Sequence, residues 1–314
     1  MTYRLMTIFG GAGFIGRHVV RALAADGWRI RVVSRTPALC GHLQPLGDVG
    51  QIAVQQVDYS DEQALATLLE DSDAVVNLLG ILYETSKQRF DEVHGQWPAR
   101  LARAAKTAGV RHMVHLSSIG ADPQASSAYA RSKAEGERAL MEVMKEAVIL
   151  RPSIVIGPED GFFNRFASMA RLSPVLPLIG GGHTKFQPIY VADVAAAIVK
   201  CLTFDAAKGK VFELGGPKVY SFAELMRYML KVIGRKRPLI DLPFGLASFK
   251  ARFLEWLPEP LLTRDQVELL KSDNVVGEQA MTLADLGISP TPIETIVPQY
   301  LTRHRASPTR VARS

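Results

Sequence analysis

Cysteine is scarce: the chain has two, Cys40 and Cys201, among 314 residues. Two thiols cannot build a disulfide framework, and no cysteine or histidine spacing of the zinc-binding kind occurs, so neither staples nor a metal is expected. Long apolar runs are missing too. No stretch approaches the ~20 residues of a membrane-spanning helix. The first strand begins almost at Met1, leaving no room for a signal peptide, so a reducing, cytoplasmic setting is expected. Aromatic residues are only 8% of the chain and charged ones 22%, against 47% hydrophobic, which excludes the disordered and fibrous classes. Negative charge is in slight deficit, with 31 Asp and Glu against 37 Lys and Arg, a net +6. Much of the excess sits in Arg235-Lys236-Arg237 and in the tail from Arg303 to Arg313. It implies either a solvated basic tail or an anionic ligand or surface; no recognition module accompanies it, so no nucleic acid is expected.

What the chain does have is glycine at a strand-to-helix junction. Phe9-Gly10-Gly11-Ala12-Gly13-Phe14-Ile15-Gly16 joins a strand-like apolar run at 4–9 to helical apolar spacing at 14–25. Gly10 would serve the tight turn, Gly13 the close approach of a pyrophosphate, and Gly16 the packing of helix on strand. The free N–H groups at Phe14 and Ile15 would then face the phosphates with the helix's partial positive charge. Further apolar strands are expected at 29–34, 52–57, 74–79 and 112–117, with a long helix at 89–108. This alternation predicts an α/β fold with a doubly wound parallel sheet, which binds its ligand at the strands' C-terminal ends.

Those ends carry the candidate cofactor residues. Arg35 closes the second strand where an NAD-binding chain would place a carboxylate, and Arg17 stands near it at the start of the first helix. This charge pattern favours NADP(H), with NAD(H) the alternative. Asp58 after the third strand is either an adenine contact or a turn residue, followed by an expected capping box at 60–63. Leu79 and Gly80 end the fourth strand, where backbone can approach the cofactor. Ser117 and Ser118 end the fifth. Tyr129 and Lys133 lie four apart on a helix expected at 127–145 and share one face. An isolated tyrosine is a poor acid or base near neutrality, and Lys133 supplies a cation that favours its phenolate while reaching the nicotinamide ribose.

Together these residues, with Leu150-Arg151-Pro152, Gly157-Pro158 and Val191-Ala192-Asp193, resemble the extended short-chain dehydrogenase/reductase superfamily, of the epimerase/dehydratase type, along nearly the whole chain. More narrowly, Leu262-Thr263-Arg264-Asp265-Gln266-Val267 and Leu270-Lys271-Ser272-Asp273-Asn274 resemble the branch of the NADPH-binding accessory subunit of respiratory complex I and its bacterial relatives. The resemblance implies a Rossmann domain holding NADP(H), Tyr129 and Lys133 as catalytic pair, Ser118 as the substrate's hydrogen-bond donor and Pro152 beside the nicotinamide. Two positions depart from the family pattern: Ile119 replaces a third hydroxyl of the serine run, and His94 replaces the asparagine usual after the fourth strand.

The expected organisation is an NADP(H)-binding domain over 1–152, a smaller, mostly helical substrate lobe over 153–302, and a basic disordered tail over 303–314. Within the lobe, 161–172 reads as a helix, 173–182 as a proline- and glycine-rich covering loop, and Ser221 to Glu224 as a capping box. The stretch 246–257 has an aromatic stripe with a basic flank, suited either to a core or to an anionic membrane surface or partner. The function expected is an oxidoreductase or epimerase/dehydratase-type enzyme acting on a small or isoprenoid carbonyl or hydroxyl compound, with a link to quinone metabolism. The alternative is a non-catalytic NADPH-binding accessory or assembly protein of a respiratory or quinone-biosynthetic complex, peripheral at the inner membrane surface.

Overall fold

Seven parallel strands form the central sheet of the computed structural model, which describes residues 4–257 and 260–305. They are β1 (Leu5–Phe9), β2 (Arg29–Val33), β3 (Ile52–Gln55), β4 (Ala74–Asn77), β5 (His112–Leu116), β6 (Val148–Pro152) and β11 (Val211–Leu214), in the spatial order β11-β6-β5-β4-β1-β2-β3. The chain enters at the middle, runs out to β3, then returns to β4 and proceeds the other way. The reversal beside β1 opens a crevice at the C-terminal ends of β1 and β4, as in a Rossmann sheet.

Successive side chains of these strands divide between two cores because a strand alternates its faces. Ile8, Val32, Val76, Val114 and Leu150 meet α1 (Phe14–Ala25) and α6 (Val191–Thr203). Their neighbours Phe9, Val33, Val75, Met113 and Ile149 meet α2 (Glu62–Leu69), α3 (Trp97–Thr107) and α4 (Ala128–Val143). Burial on both faces explains why the strands read as continuous apolar runs. Helix α1 shows the matching period, burying Gly16, Val19, Val20, Leu23 and Ala24.

A third core gathers away from the sheet, where α5 (Phe163–Leu172), α7 (Phe222–Val232) and α10 (Ile293–Leu301) pack around Phe163, Phe222, Met226 and Val297. Three two-stranded pairs accompany it: β7 (Val155–Ile156) with β10 (Ile189–Tyr190), β8 (Leu176–Ile179) with β13 (Leu239–Leu242), and β9 (Lys185–Phe186) with β12 (Tyr220–Ser221). Among the described residues no helix is long and apolar enough to cross a membrane.

Several boundaries differ from expectation. The third strand stops at Gln55, and α2 is capped by Asp61, which accepts from the N–H groups of Gln63 and Ala64 at 2.9 and 3.0 Å. Ser60 is not the cap because it is engaged with Asp58. The stretch 173–182 is not a covering loop. Leu176, Leu178 and Ile179 are buried, so their apolar pattern makes a strand, and the glycines after it form the turn. The capping box of Ser221 and Glu224 forms as expected. A disordered tail is expected from 303, but Arg303 donates to the Pro158 carbonyl at 3.0 Å, and His304 is buried. Residues 306–314 lie outside the described ones.

At the stripe 246–257 the structure decides between the two readings, against the core. Helix α8 (Phe244–Leu254) buries only Ala247 and Ala251, against Val267 of α9 (Arg264–Leu269) and Ile179. Two alanines one turn apart make a narrow seam, and the aromatic face points outward. Phe249 is 61% exposed, Phe253 58% and Trp256 86%.

Candidate nucleotide and active site

Parallel register sets the expected site residues along one edge of the sheet. Phe9 lies opposite Val33 and Asn77, Val33 opposite Gln55, Asn77 opposite His115, and Leu116 opposite Leu150. The segments just beyond these residues hold Gly10 to Arg17, Arg35, Asp58, Leu79 and Gly80, and Ser117 and Ser118, with Pro152 at the end of β6.

The turn after β1 is shaped for close approach. Gly10 has φ +82°, a conformation that favours glycine, and its amide partner is Gly13, whose N–H donates to the Gly10 carbonyl at 3.1 Å. A Cβ on Gly16 would stand 2.2 Å from that same carbonyl oxygen. The helix therefore rests directly on the turn. Gly13 is the N-cap of α1 and no side chain caps that helix, leaving the first-turn N–H groups of Phe14 and Ile15 to an anion. A pyrophosphate fits this cradle.

Arg35 is exposed just past β2, in the run Ser34-Arg35-Thr36, so no carboxylate occupies that strand end. Arg17 is partly engaged elsewhere: its Nη1 stands 3.6 Å from Glu159 and its Nε donates to the Gly13 carbonyl at 3.4 Å. Of the two roles open to Asp58, the turn is formed. Its Oδ1 accepts from the Ser60 N–H at 2.8 Å and hydroxyl at 2.7 Å, and these bonds hold the carboxyl below its ordinary range.

Asn77 ties the middle of the edge together. Its Oδ1 accepts from the Leu79 N–H at 3.2 Å and from Trp97 Nε1 at 3.1 Å. Its Nδ2 donates to His115 Nδ1 at 3.0 Å, which assigns the ring proton of a neutral His115 to Nε2. Burial pushes the His115 imidazole down to about 3.

Tyr129 and Lys133 sit one turn apart on α4, as their spacing requires, with the ammonium 5.8 Å from the phenol ring centroid. Lys133 Nζ donates to the Leu116 carbonyl at 3.3 Å and stands 3.5 Å from where a Gly80 Cβ would project. Burial lowers its pKa to about 8, with Glu137 opposing. The phenol moves the other way from expectation. Desolvation raises Tyr129 above its ordinary value, Ser118 opposes that shift and Asp265 adds to it. A phenol so placed keeps its proton near neutrality. The hydroxyls of Ser117 and Ser118 are buried and, among the described residues, lack partners of hydrogen-bond geometry. Buried polar groups normally have partners, which makes these two candidates to hold a ligand.

His94 is the first residue whose role the sequence showed only as a departure. It lies in a π-helical turn, Asp91–Gln96, a feature that concentrates at functional sites. Its Nε2 accepts from the Ile81 N–H at 3.0 Å, so Nδ1 carries the proton and meets Ser132 Oγ at 3.2 Å. Burial and nearby Lys133 hold it neutral, with a pKa of about 2. The ring lies edge-on to Tyr129, centroids 5.1 Å apart, and Phe90 packs on both. Beneath the site, Arg151 clasps the buried Glu137 at 2.5 and 2.9 Å, joining α4 to β6.

Two more residues were missed altogether. Asp265 caps α4, and Asn274 Nδ2 donates to the Ile119 carbonyl at 3.2 Å while its Oδ1 accepts from Ser153 at 2.7 Å. Both lie in the 262–274 stretch that carried the narrower resemblance. Their contacts reach across 136 and 155 residues, a separation no local pattern reports.

The family model "NAD dependent epimerase/dehydratase family" matches residues 6–215. The NADH dehydrogenase [ubiquinone] 1 alpha subcomplex subunit 9 of Arabidopsis thaliana is 35% identical over 311 residues, covering 95% of this chain and 77% of its own. A ceramide reductase of Caulobacter vibrioides is 34% identical over 242 residues, covering 76% of this chain and 74% of its own. Among solved structures, the dTDP-glucose 4,6-dehydratase DesIV of Streptomyces venezuelae, with NAD bound, has a TM-score of 0.75 at 20% identity, with 96% of each chain covered. That likeness is one of fold.

Proposed function

This chain belongs to the NAD dependent epimerase/dehydratase family, in the branch that holds the complex I alpha subcomplex subunit 9, and from that premise we propose that it is an NADP(H)-dependent oxidoreductase of a carbonyl or hydroxyl compound. The observation that carries this reading is the pairing of Tyr129 with Lys133 one turn apart on α4, the ammonium 5.8 Å from the phenol ring, at the sheet edge where the buried hydroxyls of Ser117 and Ser118 have no partner among the described residues. When bound, the nicotinamide supplies or accepts hydride. In the reducing direction Tyr129 gives its proton to the carbonyl oxygen as the carbonyl carbon gains hydride, and Ser118 holds that oxygen in place. Lys133 stabilises the phenolate left behind and binds the ribose. Phe90 beside Tyr129 favours an apolar substrate, and the Caulobacter relative's name, ceramide reductase, points to a lipid. An isoprenoid or quinone-related carbonyl fits the same chemistry. Within this reading, residues 1–152 hold the nucleotide and 153–302 select the substrate.

The test is Tyr129→Phe, assayed by NADPH oxidation with apolar ketones. The variant should bind nucleotide as the parent does and lose turnover by a factor of about 100 or more. Equal turnover would remove Tyr129 from the mechanism.

A second reading rests on the exposed face of α8 and the turn that follows it. Phe249, Phe253 and Trp256, flanked by Lys250 and Arg252, form a surface suited to an anionic membrane or to a respiratory complex like those of the named relatives. NADP(H) would then be a structural or sensing ligand, and the protein would sit peripherally at the inner membrane surface. Retention of bound NADPH against excess labelled NADPH would favour this role. Rapid exchange favours the enzyme.

A further inference from the structure

The first turn of α4 carries Tyr129, and each of its backbone donors is accounted for. Ala128 N–H donates to Asp265 Oδ1 at 2.6 Å, and Tyr129 N–H to Asp265 Oδ2 at 3.2 Å. Ala130 N–H donates to Ser127 Oγ at 3.2 Å, and Arg131 N–H to the Ser127 carbonyl at 3.2 Å. The Ser127 hydroxyl itself donates to Asp265 Oδ2 at 2.8 Å. A helix start has four N–H groups without intrahelical partners, commonly served by one local side chain. Here a carboxylate from a distant segment takes two of them and orients the local cap as well.

Asp265 is itself held firmly. Helix α9 opens with a capping box between Thr263 and Gln266, and Val267 is fully buried. Gln266 Nε2 donates to the Leu82 carbonyl at 3.3 Å, two residues past Gly80. Asn274 holds Ile119 and Ser153. The segment 263–274 thus grips the chain at 82, at 119, at 127–129 and at 153, on the segments that flank Tyr129, Ser118 and Pro152.

We propose that Asp265 is a positioning residue for Tyr129: its carboxylate fixes the first turn of α4 and with it the place of the phenol oxygen relative to Ser118 and Lys133. This rests on the role proposed for Tyr129. The groups that face or act on that side chain are Lys133 on its own helix, His94 and Phe90 from the segment before α3, Ser118 after β5, and, from the helix start, the Asp265 carboxylate. His94 is neutral, so Lys133 and Asp265 are the charges among them. Asp265 therefore acts on Tyr129 through its charge as well as through the backbone, which separates it from an ordinary helix cap.

Asp265→Asn and Asp265→Ala in the full chain, each with NADP(H) bound, test this. Tyrosines labelled at 13Cζ are followed by NMR through an alkaline titration, and Tyr129→Phe identifies the Tyr129 resonance. Asparagine keeps the size and one acceptor. That variant should fold, bind NADP(H) within about twofold of the parent, and begin ionising Tyr129 about half a pH unit earlier, a threefold rise in phenolate at fixed pH. Asp265→Ala should in addition shift or broaden the resonance at neutral pH. A Tyr129 resonance and titration unchanged in the Asn variant would overturn the proposal, whether or not the Ala variant folds. These readouts need no turnover. A Tyr129→Phe variant that still turned over would refute the catalytic role and leave them intact.

Discussion

Helix α4 crosses the π-helical turn so closely that a Cβ on Gly136 would stand 1.8 Å from the carbonyl oxygen of His94. Backbone meets backbone there, with no flexible side chain able to give way. Gly136→Ala should destabilise the protein by about 3 kcal/mol, at the upper end of overpacking costs. It should also weaken nucleotide binding, because Lys133 lies on the same helix one turn away. Urea denaturation and a binding titration on the same variant check both; an unchanged midpoint would contradict the close approach.

Gly16→Ala tests the phosphate cradle. Its Cβ would lie 2.2 Å from the Gly10 oxygen and 2.6 Å from Gly11, so α1 must lift off the turn. NADP(H) affinity should fall by a factor of about 10 or more, since the helix start would no longer face the phosphates. Isothermal titration measures this directly. Wild-type affinity would exclude the cradle as the binding site.

Cofactor preference is tested at Arg35. With no carboxylate at the end of β2, Arg35→Ala should weaken NADP(H) by about tenfold and leave NAD(H) nearly unchanged, because only the former has a 2′-phosphate. Equal loss for both nucleotides would assign the arginine a role other than reading that phosphate. Arg17, already near Glu159, should matter less.

Acid stability follows from two neutral histidines. His94 and His115 have pKa values of about 2 and 3 in the fold, against an ordinary value of 6.5, both lowered chiefly by burial. Below pH ~6.5 the unfolded chain binds protons that the native one refuses, so their contribution is complete above that pH and declines as pH falls. Each contributes a slope approaching about 1.4 kcal/mol per pH unit. Between pH 6 and 5, His94→Asn should flatten the dependence of the urea midpoint by about one proton's worth. An unaltered slope would show that His94 is charged in the native state.

The sheet was legible because both its faces are buried. Five strand runs and the glycine junction appear in sequence as local apolar blocks, and the span of α1 at 14–25 was read correctly from spacing alone. Errors fell where local signals compete. Pro and Gly in 173–182 outweighed the apolar residues of β8, and Ser60 was read as a cap although Asp61 holds that place. The placement of the candidate residues along one sheet edge was legible where they lie at strand ends, as with Gly10, Arg35 and Ser118, or four apart on one helix, as with Tyr129 and Lys133. His94 stood out only against a family pattern.

The sequence by itself determined the α/β class and the doubly wound parallel sheet, because the period of strands and helices, their alternation along the chain and the glycine placement are local properties. Only the tertiary structure decided that burial, with Asp265 adding to it, pushes the phenol of Tyr129 above its ordinary value, since burial depends on how the chain closes over the helix. It also decided that α8 shows its aromatic side to solvent, because two alanines suffice for its seam. And it joined Asp265 and Asn274 to the site, since hydrogen bonds between segments more than a hundred residues apart depend on how the chain closes and leave no periodic mark along it.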